Sequence, residues 1–238
     1  MKRIPLFLLS LILLFGVWRV APAREVQNHG VVFEQWIRDT FFDGYAPASY
    51  TQKWDIPASA NKKFGGIAVN PKAIKYKSAV DMGDALRQFD IAEPFWLIVG
   101  YWQQEGDNKR FVNVVAQRIE PEDWRKLWGD LERADLERLD KVIKQTPDYQ
   151  EARRLAQQIK REPKFKSAII TLNPKIDSKS QRRLQCSLSW SKMFVTVAPN
   201  ADPSIQERPV LWGVPVDIEV ASAPRSFEAK ADADAAKE

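Results

Sequence analysis

The chain has 238 residues, 45% hydrophobic and 28% charged, with a net charge of +5. This is the composition of an ordinary globular protein with room for one large domain or two small ones. A single cysteine, Cys186, excludes an internal disulfide, and a single histidine, His29, argues against a histidine-based triad or a His-rich zinc site. Any bound metal would be held mainly by carboxylates and carbonyls, which suits Mg²⁺ or Ca²⁺.

The first 23 residues read as a secretory signal peptide: a positive MKR start, an apolar run from Ile4 to Trp18, and a small-residue APA site at Ala21–Ala23. The run is short for a membrane span, although Arg19 between run and site leaves a retained anchor open. Cleavage after Ala23 would remove three basic residues and no acid, lowering the net charge to +2. Such a protein is secreted or periplasmic, without stable membrane association after cleavage. If the start codon lies further downstream, it is cytoplasmic.

Apolar residues at 32, 33, 36, 37 and 41 predict a helix over Val31 to Phe42, with Glu34 near the border of its apolar face. A loop follows, then Gly65 and Gly66 lead into a short strand, IAVN. Asp81 to Phe89 reads as a short helix capped by Asp81. The apolar run from Pro94 to Trp102 predicts a central strand covered on both faces, and Arg110 to Ile119 alternates as its neighbour. Pro121 opens a helix with Glu122 and Asp123 in its first turn. Two further helices are expected, from Leu136 to Ile143 and from Asp148 to Lys160. SAIITL, LQCSL, MFVTVA and VLWGVPVDIEV read as strands, the last broken at Pro215. The expected fold is α/β, a mixed central sheet flanked by helices. A single domain would span residues 24–206, and a C-terminal strand and low-complexity tail residues 207–238.

One stretch carries chemistry. From Trp54 to Lys77 there is one acid, Asp55, and five lysines. Cutting a phosphodiester needs a metal held at the phosphate, an oriented water and positive charge. Residues two apart on a strand share a face, so Asn70 and Lys72 would point together toward whatever Asp55 holds. The order Glu34, Asp55, Asn70-Pro71-Lys72 resembles the PD-(D/E)xK, or restriction-endonuclease-like, nuclease superfamily. GDALRQF (Gly83–Phe89) and NPKIDSKSQRRLQCSL (Asn173–Leu188) add to the resemblance, which covers roughly Val31 to Leu188. It implies a restriction-endonuclease-like fold and a Mg²⁺-dependent endonuclease acting on double-stranded DNA. Glu34, Asp55 and Asn70 would be the metal ligands and Lys72 would assist the chemistry. A palindrome-cutting enzyme of this kind works as a homodimer. The chain departs from the pattern in three ways: Trp54 precedes the acid where proline is usual, Asn70 stands for the second acid, and Pro71 inside the motif fits an edge strand or bulge. Lys75 or Lys77 is the active lysine if the register differs, and Asp177-Ser178-Lys179 is a competing D-x-K.

Arg161 to Lys192 carries eight basic and two acidic residues. Lys175, Lys179, Gln181, Arg182, Arg183 and Gln185 are the candidate DNA contacts, because lysine and arginine meet phosphates while arginine and glutamine also read base edges. Each candidate has a plainer role open to it. A charged run is often a solvated face, Asp55 a turn residue, Glu34 a boundary ion-pair partner, and Asn-Pro a turn signal that recurs at Asn173-Pro174. Trp124 and Trp128 read as core, and Cys186 as a packed strand residue. Export sits awkwardly with a restriction enzyme. The alternative is therefore an exported, non-enzymatic cell-envelope protein with a degenerate nuclease fold that binds a polyanion or a protein partner.

Overall fold

The computed structural model describes residues 28–48, 53–178 and 181–221. The signal-peptide segment and the tail beyond Ala221 lie outside the described residues.

The fold is mixed α/β. Helix α1 (Asn28–Phe41) is followed by strands β1 (Ala68–Lys75) and β2 (Val80–Asp84), helix α2 (Ala85–Phe89), and the long hairpin β3 (Phe95–Glu105) and β4 (Asn108–Ile119). Helices α3 (Pro121–Lys126), α4 (Arg133–Gln145), α5 (Tyr149–Lys160) and α6 (Pro163–Lys166) come next. The hairpin β5 (Thr171–Ile176) and β6 (Arg182–Leu188), the helical turn α7 (Trp190–Lys192) and the short strands β7 (Val210–Leu211), β8 (Val214–Pro215) and β9 (Glu219–Ala221) complete it. One sheet has the order β1-β3-β4-β9, with β1 parallel to β3 and the other pairs antiparallel. A second has the order β2-β6-β5 and is antiparallel, and β7-β8 form a small ladder.

The apolar run in β3 accounts for the position of the core. Leu97, Ile98 and Val99 are all fully buried because each face of the strand is covered. Leu97 and Val99 join the larger cluster, which also contains Trp124, Trp128 and Leu136. Ile98 joins the smaller cluster with Phe33 and Ile37 of α1, Val69 and Phe111. Gly100 of β3 lies in this second layer, where Phe33 and Phe111 close over the missing side chain.

Four expectations are corrected. Asp81–Phe89 is not one helix: Val80 and Met82 alternate inward as a strand, Gly83 takes φ 84° at a bulge against β6, and the helix begins only at Ala85. Its cap is Asp84, which accepts from the Arg87 N–H at 2.9 Å, rather than Asp81. SAIITL starts too early for β5, because the Ile169 and Ile170 N–H groups donate to the Leu127 carbonyl at 2.8 and 3.0 Å. Pairing with β6 therefore begins at Thr171 and runs on to Ile176. MFVTVA is not a strand. Met193–Val197 forms a π-helical turn, with the Ala198 N–H donating to the Met193 carbonyl at 2.8 Å. Met193 and Phe194 are adjacent and both buried, which a half-buried strand would place on opposite faces, and Phe194 packs on Trp190 four residues back at 4.5 Å. Finally, Trp212-Gly213 folds VLWGVPVDIEV into the β7-β8 turn, and only β9 reaches the main sheet, pairing with Asn108–Arg110.

Candidate functional site

The candidate site forms on the outer edge of β1, which ends its sheet. Asp55 is held without belonging to a strand. On one side Trp54 is buried, its ring tilted against Phe95 at 5.1 Å, with its indole N–H donating to Glu93 at 2.7 Å. On the other side Ile56 is fully buried and exchanges both backbone hydrogen bonds with Val69, at 3.2 and 2.8 Å. Between these anchors the Asp55 carboxylate stays partly exposed.

Val69 turns its backbone groups outward to Ile56, so Pro71, two residues on, faces the same open edge. A missing N–H costs nothing there, which is why this motif tolerates proline. The Pro71 carbonyl instead accepts from Lys72 Nζ at 2.9 Å. The same ammonium reaches Asp55 Oδ2 at 3.4 Å. Such a partly exposed pair contributes less than about 1 kcal/mol to stability.

Glu34 approaches from α1, which packs on the opposite face of β1 through Phe33 and Ile37. Burial holds its carboxyl above the ordinary 4.5, the negative charge of Asp55 adds to this, and Lys72 and Arg38 oppose it. Glu34 also pairs with Arg38 Nη1 at 3.9 Å. Arg38 is buried and donates to Gln35 Oε1 at 2.8 Å, while its Nε has no hydrogen-bond partner among the described residues. Arg38 was not among the sequence candidates. Its four-residue spacing from Glu34 on one helix was the signal available.

Asn70 is 5% exposed, on the face it shares with Lys72. Oxygen donors of these kinds suit a hard cation such as Mg²⁺, but α1 and Glu34 lie against the face of β1 that carries Val69, while Asn70 and Lys72 lie on the face that carries Ala68. Among the described residues no group of three or more His, Cys, Asp or Glu is placed to hold a metal, so a third protein ligand here would be the Asn70 carbonyl. Lys75 and Lys77 are exposed, and Lys77 takes φ 64° in the turn after β1 with its ammonium over the Tyr76 ring. Only Lys72 of the three pairs with Asp55.

The sign of the Glu34 shift gives a prediction. A carboxyl whose folded value is raised favours the folded state below its ordinary value and weighs against it as pH rises through the folded value. Glu34→Gln should therefore raise Tm by a few degrees at pH 7 to 8, and the gain should shrink as pH falls toward 4.5. Thermal melts of both proteins across that range check this.

The basic hairpin stands apart from this edge. It packs against α2, α4, α5 and β2. Alternation along β6 turns Arg182 inward with Leu184 and Cys186. Its guanidinium donates to the carbonyls of Ile143, Thr146 and Pro147 at 3.1, 3.0 and 2.9 Å, closing the end of α4. Arg182→Ala should accordingly lower stability by about 1–2 kcal/mol, read by urea melts, through loss of charged hydrogen bonds at a helix terminus. Lys175 and Arg183 lie directly opposite each other on the outward face, both exposed, with Gln185 beside them. The Gln181 N–H donates to Asp177 Oδ1 at 2.7 Å within the hairpin turn, so Asp177 shapes that turn. Lys179 lies outside the described residues.

Comparison with protein-family models, with curated proteins and with solved structures found no match.

Proposed function

We propose that this protein is a Mg²⁺-dependent endonuclease of the restriction-endonuclease-like kind, exported from the cell, that hydrolyses phosphodiester bonds of double-stranded DNA. One observation supports it above the others: Asp55 and Lys72, far apart in sequence, pair at 3.4 Å on one sheet edge, and the negative charge of Asp55 adds to the burial that raises Glu34. Glu34, Asp55 and the Asn70 carbonyl would hold Mg²⁺, which supplies Lewis acidity and a more acidic bound water. Lys72 offers positive charge to the negative charge that a phosphate gains as it becomes crowded by the attacking oxygen. Trp54 and Ile56 keep Asp55 from drifting as the substrate lands. Lys175 and Arg183 form an outward cationic pair suited to the DNA backbone, since like charges directly opposed on a sheet disfavour one another until an anion joins them.

A second reading has its own support. Lys72 already neutralises Asp55 at 3.4 Å, and among the described residues no group of three or more His, Cys, Asp or Glu is placed to hold a metal. On that basis the protein is an envelope component that grips a polyanion through Lys175 and Arg183 without cutting it. Incubation of the purified protein with supercoiled plasmid, in Mg²⁺, Mn²⁺ or EDTA, separates the two. Metal-dependent nicking supports the nuclease; retarded but intact DNA supports the binder.

Ligation can be read without catalysis. For a dissociation constant of about 1 mM, about 10 mM Mg²⁺ should stabilise the fold by about 1.4 kcal/mol, roughly 3–6 °C in Tm. The shift should vanish in Asp55→Asn.

A further inference from the structure

A second site lies on the far side of the helical layer. The end of α5, helix α6 and the start of β5 line a half-open cavity of about 210 Å³. Its apolar walls are Phe165, Ala168, Ile170 and Leu172, and two ammonium groups, Lys160 and Lys166, line it.

The charges around this cavity are unbalanced. Neighbouring acids are committed elsewhere: Asp135 and Glu132 hold Lys164, at 2.7 and 3.6 Å, and Glu162 holds Arg138. Among the described residues neither Lys160 nor Lys166 has an ion-pair partner. Lys160 is half-buried, and burial pushes its ammonium below the ordinary value, as expected for a cation that has lost water and gained no anion. Its place in the last turn of α5 complements the helix dipole, but that needs only a charge at the terminus, not an apolar cavity beside it.

We propose that this cavity binds a small monocarboxylate with an apolar body, its carboxylate paired with Lys160 and Lys166 and its body against Phe165, Ile170 and Leu172. The size of this space suits a short acyl chain or one ring. Inorganic phosphate matches the charge but leaves the apolar walls unused, and a neutral alcohol does the reverse.

Titration of the full chain with octanoate, 1-octanol and inorganic phosphate tests this, followed by amide chemical shifts and calorimetry. Octanoate should bind saturably, with shifts centred on residues 160–172, and at least about tenfold more tightly than octanol, the margin that one charge-assisted contact brings. Lys160→Met, which keeps the apolar stem, should weaken octanoate by about tenfold and leave octanol unchanged. Ala168→Leu, which fills the cavity, should abolish both. The proposal is overturned if octanoate does not saturate, if octanol equals it, if phosphate binds and octanoate does not, or if both variants bind octanoate as the parent does.

Discussion

Asp55→Ala protein should leave supercoiled plasmid uncut under conditions in which the parent nicks it, with a rate lower by about 10²–10³-fold. The physical reason is specific to this edge. Removing the Asp55 carboxylate takes away one of the two proposed anionic donors and also releases Lys72 from its ion pair. Lys72→Ala should cost a similar factor for the opposite reason. Both carboxylates remain, their repulsion no longer opposed by the lysine, and the charge that faces the phosphate is gone. The variants should therefore differ in one respect while agreeing in rate. Lys72→Ala should retain the Mg²⁺-dependent rise in Tm, whereas Asp55→Ala should lose it. Neither should unfold the protein, because Asp55 and Lys72 are partly exposed and their pairing is weak. If both variants cut DNA at the parent rate, the edge is not the active site and the nuclease reading falls. If the parent itself never cuts with either metal but retards DNA, the envelope-binder reading replaces it.

Gly100→Ala should destabilise the protein by about 2–3 kcal/mol, lowering Tm by roughly 5–10 °C. A Cβ at this position would sit 2.6 Å from Phe33 Cζ and 2.7 Å from Phe111 Cε1. The two rings stack on each other at 4.7 Å and are fully buried, so neither has space to retreat. Phe33 lies one residue before Glu34 on α1. Pushing that ring off β3 therefore moves the helix that carries Glu34. Plasmid nicking should fall in Gly100→Ala even at temperatures where the fold is intact by circular dichroism, while Gly106→Ala, at a turn with open space around it, should lose stability through backbone strain alone and keep the site.

Much of the secondary structure was legible because local physics and tertiary context agreed. The 3.6-residue spacing of α1 and α5, Pro121 at the start of α3 and the uninterrupted apolar run of β3 each have one good solution, and the fold adopts it. Where periodicity was short, context decided. Val80 and Met82 could begin a helix or a strand, and pairing with β6 chose the strand. Met193–Val197 is rich in β-branched residues, yet the need to bury Met193, Phe194 and Trp190 together on the core chose a π-helical turn. The site followed the same division. Asp55, Asn70 and Lys72 could be named from their types and a two-residue period. That Asp55 would be clamped by Trp54 and Ile56, and that Glu34 would meet it from the opposite face, depended on contacts distant in sequence.

Arg182 and Arg183 show the difference most simply. As letters they are the same basic dipeptide in the most basic segment of the chain. Alternation along β6 sends one inward to hold the carbonyls at the end of α4 and leaves the other outside, opposite Lys175. The sequence by itself determined which residues are apolar, which carry charge, and at what local period they recur. It therefore determined the helices of α1, α3, α4 and α5 and the strands of the β3-β4 hairpin. Only the tertiary structure decided which of two equal side chains faces solvent, and which acids share an edge, because burial and charge coupling depend on distance in space and not along the chain.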